Sequence, residues 1–139
     1  MVEATQTKIR RVAVLGASGR MGSEAVQAIT HAPAFELVAA LGREDSLEKL
    51  VETNAEIMVD LTVPSATETN VRFAVEHGVH AVVGTTGWTE ERVESLRELL
   101  DEHPQVGVLI APNFALGSIL ATEFAAKAAP YFESVEIIE

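Results

Sequence analysis

The chain has 139 residues, a formal net charge of −11, 47% hydrophobic and 22% charged residues, and no cysteine. That length suits one compact domain. The missing cysteines exclude disulfides, thiolate metal sites and thiol nucleophiles, and the acidity argues against nucleic acid or an anionic membrane as partner. No apolar run approaches the length of a bilayer span, and Met1 to Lys8 is polar, without the core of a secretory signal. Residues 1–8 are therefore expected to be a disordered tail, residues 9–139 one domain, and the location cytoplasmic.

Val12 to Leu15 is the first apolar run of strand length. Gly16-Ala17-Ser18-Gly19-Arg20-Met21-Gly22 follows it, ahead of a helical pattern over Ser23 to His31. Glycines at a strand-to-helix turn permit backbone angles and close approaches that a Cβ forbids, and the helix start offers N–H groups and a positive dipole end to an anion. The turn reads as a cradle for a dinucleotide pyrophosphate, although G-x-x-G-x-x-G departs from the commoner G-x-G-x-x-G and could be merely a tight loop. A second strand, Leu37 to Leu41, completes a βαβ unit.

Gly42 stands about twenty residues beyond the last glycine, where an acid normally holds the ribose hydroxyls of NAD. Arg43 follows, which suits a 2′-phosphate, since guanidinium pairs with phosphate oxygens bidentately; an exposed turn arginine is the other reading. Asp45-Ser46-Leu47-Glu48 resembles a capping box and predicts a short helix.

Further strands are expected at Ile57 to Leu61, His80 to Gly84, Val106 to Ala111 and Val135 to Ile138. Helical spacing marks Ser65 to His77, Glu90 to Glu102 and Ile119 to Ala129, with Thr89 able to cap the helix that opens on Glu90 and Glu91. Six strands alternating with helices predict an α/β fold, a doubly wound, mostly parallel sheet with both faces covered and ligands beyond the strands' carboxyl ends. Asp60-Leu61-Thr62-Val63-Pro64, Gly84-Thr85-Thr86-Gly87 and Ala111-Pro112-Asn113-Phe114 stand at those ends. Small residues there admit a flat ring, which Phe114 could wall; singly, each segment is also ordinary turn chemistry.

Taken together, Val12 to Gly22, Val59-Asp60-Leu61-Thr62, Val82 to Gly87 and Ala111 to Gly117 resemble dihydrodipicolinate reductase of bacterial lysine biosynthesis, over essentially Ile9 to Glu139. The resemblance implies a Rossmann-like domain serving NADPH- or NADH-dependent reduction of a dihydrodipicolinate-type imine to tetrahydrodipicolinate. It implies that Gly16, Ala17, Ser18, Gly19, Arg20 and Met21 hold the pyrophosphate and that Arg43 lies beside the adenosine ribose. Thr62, Gly84, Thr85 and Thr86, with Ala111, Pro112, Asn113 and Phe114, would surround the nicotinamide.

Gly42 lacks the family's usual acid, which favours NADPH, and Leu61 stands where an aromatic residue is common. In the family the last strand leads into a His-His segment, a lysine and a D-A-P-S-G-T loop that supply the proton donor and the substrate's anion site. These 139 residues contain none of them. The expectation is a cofactor domain apart from its substrate and tetramerisation domain, with no catalytic residue, no metal and apolar surface near the last strand that favours self-association.

His31, His77 and His103 fall near helix ends and His80 begins a strand, positions with structural uses. A stand-alone module binding NAD(P) or coenzyme A remains an alternative. A short-chain dehydrogenase does not, because Tyr131 is followed four residues later by Val135, not by lysine.

Overall fold

The computed structural model describes residues 8–111, 113–134 and 136. Its strands are β1 (Arg10–Leu15), β2 (Phe35–Leu41), β3 (Ile57–Asp60), β4 (His80–Val83) and β5 (Val108–Ile110). All neighbours pair in parallel, in the order β2-β1-β3-β4-β5. The helices are α1 (Arg20–His31), α2 (Glu48–Glu52), α3 (Thr67–Glu76), α4 (Glu90–Glu102) and α5 (Leu116–Ala128), followed by a 3-10 turn at Ala129–Tyr131.

From β1 the chain crosses to β2 on one side, then returns to lay β3 on the other. The carboxyl ends of β1 and β3 therefore flank a topological switch point, where open α/β sheets form their ligand crevice.

Side chains alternate across each strand. Ala13, Leu15, Met58, Ala81 and Val83 meet Leu50 of α2, Val71, Ala74 and Val75 of α3, and Leu96 and Leu99 of α4 in one core. Parallel strands buried this way read as unbroken apolar runs, which is why their sequence signal was clear.

The other face is covered only in part, contrary to the expectation. α1 packs over β1 and β2, but a groove of about 630 Å³ remains beside it, lined by Met21, Ala25, Ile29, Val59, Val82 and Phe114. No residue of α5 is buried, and Leu116, Ile119, Leu120 and Phe124 are exposed.

Five strands, not six, stand among the described residues. Of the expected sixth, Val135, Ile137 and Ile138 lie outside the described residues, and Glu136 belongs to no regular element. Helix α1 begins at Arg20 instead of Ser23, because the turn itself winds into the helix with Gly19 as N-cap.

Thr89 caps α4 as expected, accepting the Arg92 N–H at 3.3 Å. The capping box at Asp45 does not form. Leu47 is the N-cap of α2, Ser46 Oγ accepts the Glu48 N–H at 3.3 Å, and the Asp45 carboxylate turns back to Gly42.

At the amino end of the sheet Glu56 gathers Lys8 Nζ at 2.6 Å, Arg10 Nη1 at 3.1 Å and the Arg11 N–H at 3.1 Å. The hydrogen bond from Lys8, then that from the Arg11 backbone, lower its carboxyl from 4.5 to about 2. A depressed carboxyl stabilises the fold fully above its unfolded value and loses that contribution as pH falls through the folded one. Thermal midpoints of Glu56→Gln should therefore fall less steeply than those of the wild-type chain between pH 4.5 and about 2. Parallel curves across that window would show that the cluster is not coupled to folding.

Candidate functional site

Gly16 leaves β1 at φ +76°, and a Cβ there would lie 2.4 Å from the Leu61 carbonyl oxygen. The loop after β1 thus lies directly against the loop after β3, an approach open only to glycine. Gly22, in the first turn of α1, is tighter still: its Cβ would meet the Gly16 carbonyl oxygen at 1.9 Å. Gly19 has ordinary extended angles, φ −73° and ψ 169°, and its Cβ would touch only the Gly16 oxygen, at 3.2 Å.

The Gly16 and Ala17 N–H groups are both spent on the Leu41 carbonyl, at 2.9 and 3.1 Å, and Gly19 N–H bonds Gly16 O at 3.0 Å. Among the described residues the N–H groups of Ser18, Arg20 and Met21 have no such partner, and no side chain caps α1. Orphan donors at a helix start, with the positive end of its dipole, favour an anion.

This turn forms one wall of a cleft of about 400 Å³ at the switch point. Leu41 to Arg43, Asp45 and Leu47 form a second wall, and Leu61 to Val63, Ala66 and Asn70 a third. Of the expected site residues, the cleft joins Gly16, Ser18, Gly19, Arg43 and Thr62. Arg20, Met21 and Phe114 line the apolar groove instead, and Leu61 borders both spaces.

Phe114 and Leu61 close over Gly84, where a Cβ would come within 2.7 Å of Phe114 Cε2 and 2.6 Å of Leu61 Cδ2. Pro112 lies outside the described residues. Asn113 is engaged locally, accepting Ala115 N–H at 3.1 Å and donating to Ser118 Oγ at 2.5 Å. Ala111 continues from β5 with its N–H on Val83 O at 2.8 Å, and Thr86 is exposed.

Asp60 is fully buried at the end of the central strand. Its Oδ1 accepts Thr62 N–H at 2.9 Å, Thr62 Oγ1 at 2.6 Å and Thr85 Oγ1 at 3.0 Å, while Oδ2 accepts Asn70 Nδ2 at 3.0 Å. Hydrogen bonds to a carboxylate in a dry setting fix their donors firmly. Thr85 is itself buried, so its hydroxyl serves this network and does not open onto a ligand. Asp60 and Asn70 were absent from the sequence-based site. A charge directly after the apolar run Ile57-Met58-Val59, on the face of the strand that Met58 buries, was the signal for the first.

His31 and His77 Nδ1 approach the carbonyls of Gln27 and Phe73, each at 2.7 Å, His80 Nδ1 accepts Gly107 N–H at 2.9 Å, and His103 is the C-cap of α4.

A family described as dihydrodipicolinate reductase, N-terminus, matches residues 10–114. A 4-hydroxy-tetrahydrodipicolinate reductase of Streptomyces griseus is 58% identical over 129 residues, which is 93% of this chain and 52% of that protein. The chain belongs to the dihydrodipicolinate reductase family.

Among solved structures, a dipicolinate-bound dihydrodipicolinate reductase from Paenisporosarcina sp. TG-14 matches with a TM-score of 0.78 and 32% identity, over 89% of this chain and 55% of that one. A scyllo-inositol dehydrogenase from Lactobacillus casei with bound NAD(H) and scyllo-inositol matches at TM-score 0.66 and 13% identity, over 88% of this chain and 42% of that one, a likeness of fold alone. The chain spans about half the length of the curated reductases it matches. The family match covers β1 through Phe114, and so takes in the glycine turn, the Asp60 network and the Gly84–Phe114 contact.

Proposed function

We propose that this chain is the nucleotide-binding half of an NAD(P)H-dependent reductase that converts a dihydrodipicolinate-type imine to tetrahydrodipicolinate in lysine and diaminopimelate biosynthesis. The observation that carries the reading is the cleft at the switch point, with Ser18 of the glycine turn, whose N–H is unpaired, on one wall, Arg43 on another, and the unpaired Arg20 and Met21 amides following at the start of α1.

The donor set suits the group. The Ser18, Arg20 and Met21 amides would take the pyrophosphate, with Gly16, Ala17 and Gly19 shaping the turn, and Arg43 would stand beside the adenosine ribose. Thr62, Gly84, the Thr85 backbone and Thr86, with Ala111, Pro112, Asn113 and Phe114, would enclose the nicotinamide end. The cofactor supplies hydride. The chain's own residues bind and orient it: Asp60 holds the loops after β3 and β4 through Thr62 and Thr85, and Phe114 and Leu61 shield the apolar side.

In this reading residues 9–139 form the cofactor domain. Substrate binding and homotetramer contacts belong to a second domain, and the enzyme works in the cytoplasm. Among the described residues no helix is long and apolar enough to cross a membrane. Apolar side chains exposed on α5 support self-association of the chain when it is isolated.

Positioned general acids contribute roughly 10²- to 10⁴-fold to such reductions, and orientation of the second reactant contributes more. The 139 residues should bind NADPH yet oxidise it near background with dihydrodipicolinate, until a polypeptide matching the rest of the relatives' length is added. Ordinary turnover by the 139 residues alone would overturn this division of labour. Loss of bound NADPH to coenzyme A in competition would favour the coenzyme A module instead.

Arg43 bears on the cofactor's 2′ position. A charge-assisted bond to a 2′-phosphate is worth roughly 1.5–3 kcal/mol before screening. Arg43→Ala should weaken NADPH more than NADH in a binding titration, and added salt should narrow the gap. Equal losses would mark Arg43 as a structural residue.

A further inference from the structure

We infer that Asp45 supplies the carboxylate missing from the end of β2 and holds the adenosine ribose hydroxyls of the non-phosphorylated cofactor; this rests on the nucleotide-binding reading above. In doubly wound dinucleotide folds an acid at the end of the second strand accepts the ribose 2′-hydroxyl. Here that position is Gly42, directly after β2.

The structure delivers a carboxylate to the same place from three residues further on. Asp45 Oδ2 accepts the Gly42 N–H at 2.8 Å and lies 3.6 Å from where a Gly42 Cβ would stand. That space is what an acidic side chain at position 42 would enter. Asp45 shares its wall of the cleft with Arg43, and Ser18 and Gly19 stand on the wall formed by the glycine turn.

Oδ1 pairs with Lys49 Nζ one helical turn on, which fixes the side chain. A carboxylate has about four lone-pair sites, so each oxygen keeps acceptor capacity for a hydroxyl. Lys49 first, then the Gly42 N–H, hold the Asp45 carboxyl below its ordinary range, so the acceptor is charged at neutral pH.

The pocket therefore opposes two preferences. Asp45 accepts hydroxyls and repels a 2′-phosphate, whereas Arg43 attracts the phosphate. The absence of an acid at Gly42 no longer argues for NADPH alone; both cofactors are accommodated, with Asp45 setting the NADH side.

The test is calorimetric titration of the 139-residue chain with NADH and with NADPH. Asn at position 45 keeps an acceptor for the Gly42 N–H, so Asp45→Asn leaves the loop in place. It should weaken NADH about tenfold and leave NADPH unchanged or tighter. Adding Gly42→Asp to Asp45→Asn should restore NADH, since no atom outside the adjoining residues lies closer than 3.6 Å to a Cβ there. Equal losses for both cofactors, an unchanged ratio, or failure of the second substitution to restore NADH would overturn the inference while leaving the proposed function standing. Failure of the wild-type chain to bind either cofactor would overturn both.

Discussion

Gly22→Ala should abolish measurable binding of either nicotinamide cofactor. The added methyl would stand 1.9 Å from the Gly16 carbonyl oxygen and 2.7 Å from its carbon, which are backbone atoms and cannot rotate away. Either α1 must lift from the turn or the turn must open, and both displace the amides of Ser18, Arg20 and Met21. Overpacking of this kind costs about 1–3 kcal/mol of stability, and an amide set moved by an ångström loses most of its hold on a phosphate, so affinity should fall about a hundredfold or more. Gly78→Ala is the control. Gly78 sits at φ +74° with open space around its Cβ, far from the cleft. It should cost about 1 kcal/mol in a denaturant titration through backbone strain alone and leave cofactor binding intact. Unchanged NADPH affinity in Gly22→Ala would show that the turn does not hold the pyrophosphate.

Asp60→Ala should be the most destabilising single change in the chain's polar interior. It removes a fully buried carboxylate that accepts from the Thr62 N–H, two threonine hydroxyls and the Asn70 amide, leaving Asn70 only its 3.3 Å bond to Thr62 Oγ1 and Thr85 only its 3.4 Å bond to the backbone carbonyl of residue 60. Hydrogen bonds to a charged group contribute roughly 1.5–3 kcal/mol each, and a buried orphaned donor costs about 1–3, so a net loss near 4 kcal/mol is expected. That is a large part of the roughly 5–15 kcal/mol that holds a domain together. Asp60→Asn retains shape and one acceptor oxygen and should lose about half as much. Urea denaturation of the two variants and the wild-type chain measures both. A loss under about 1 kcal/mol for Asp60→Ala would mean that water reaches these donors and that the network does not position the loops.

The order of elements, the glycine turn, the Thr89 cap and the helix-end positions of His31, His77 and His103 were legible because each rests on local chemistry: an apolar run, a backbone angle, a helical period, a side chain bonding three residues away. Gly16 illustrates this, since its positive φ follows from a sharp exit from β1. What was not legible depends on distance in sequence or on packing.

Asp60 and Asn70 are ten residues apart and meet only because α3 lies across the end of β3. Asp45 looked like a helix cap because its spacing to Glu48 fits one, yet the Gly42 N–H and Lys49 compete for the same carboxylate and win it. The helical period of α5 was read correctly, but period alone cannot say whether an apolar side is covered, and here it is not. Thr85 was grouped with ligand-facing residues because G-T-T-G stands at a strand end, while its hydroxyl turns inward to Asp60.

Amide chemical shifts followed during titration with NADPH test the central claim most directly, since a chain of 14.9 kDa gives a resolvable spectrum and each cradle amide reports for itself. The account predicts saturable shifts that are largest at Ser18, Gly19, Arg20 and Met21, with Arg43 and Thr62 following. Glu36, Glu56 and His80, at the amino end of the sheet, should stay still. Shifts confined to the apolar groove, or no saturable change up to roughly 1 mM cofactor, where binding would be weaker than about 4 kcal/mol, would contradict it.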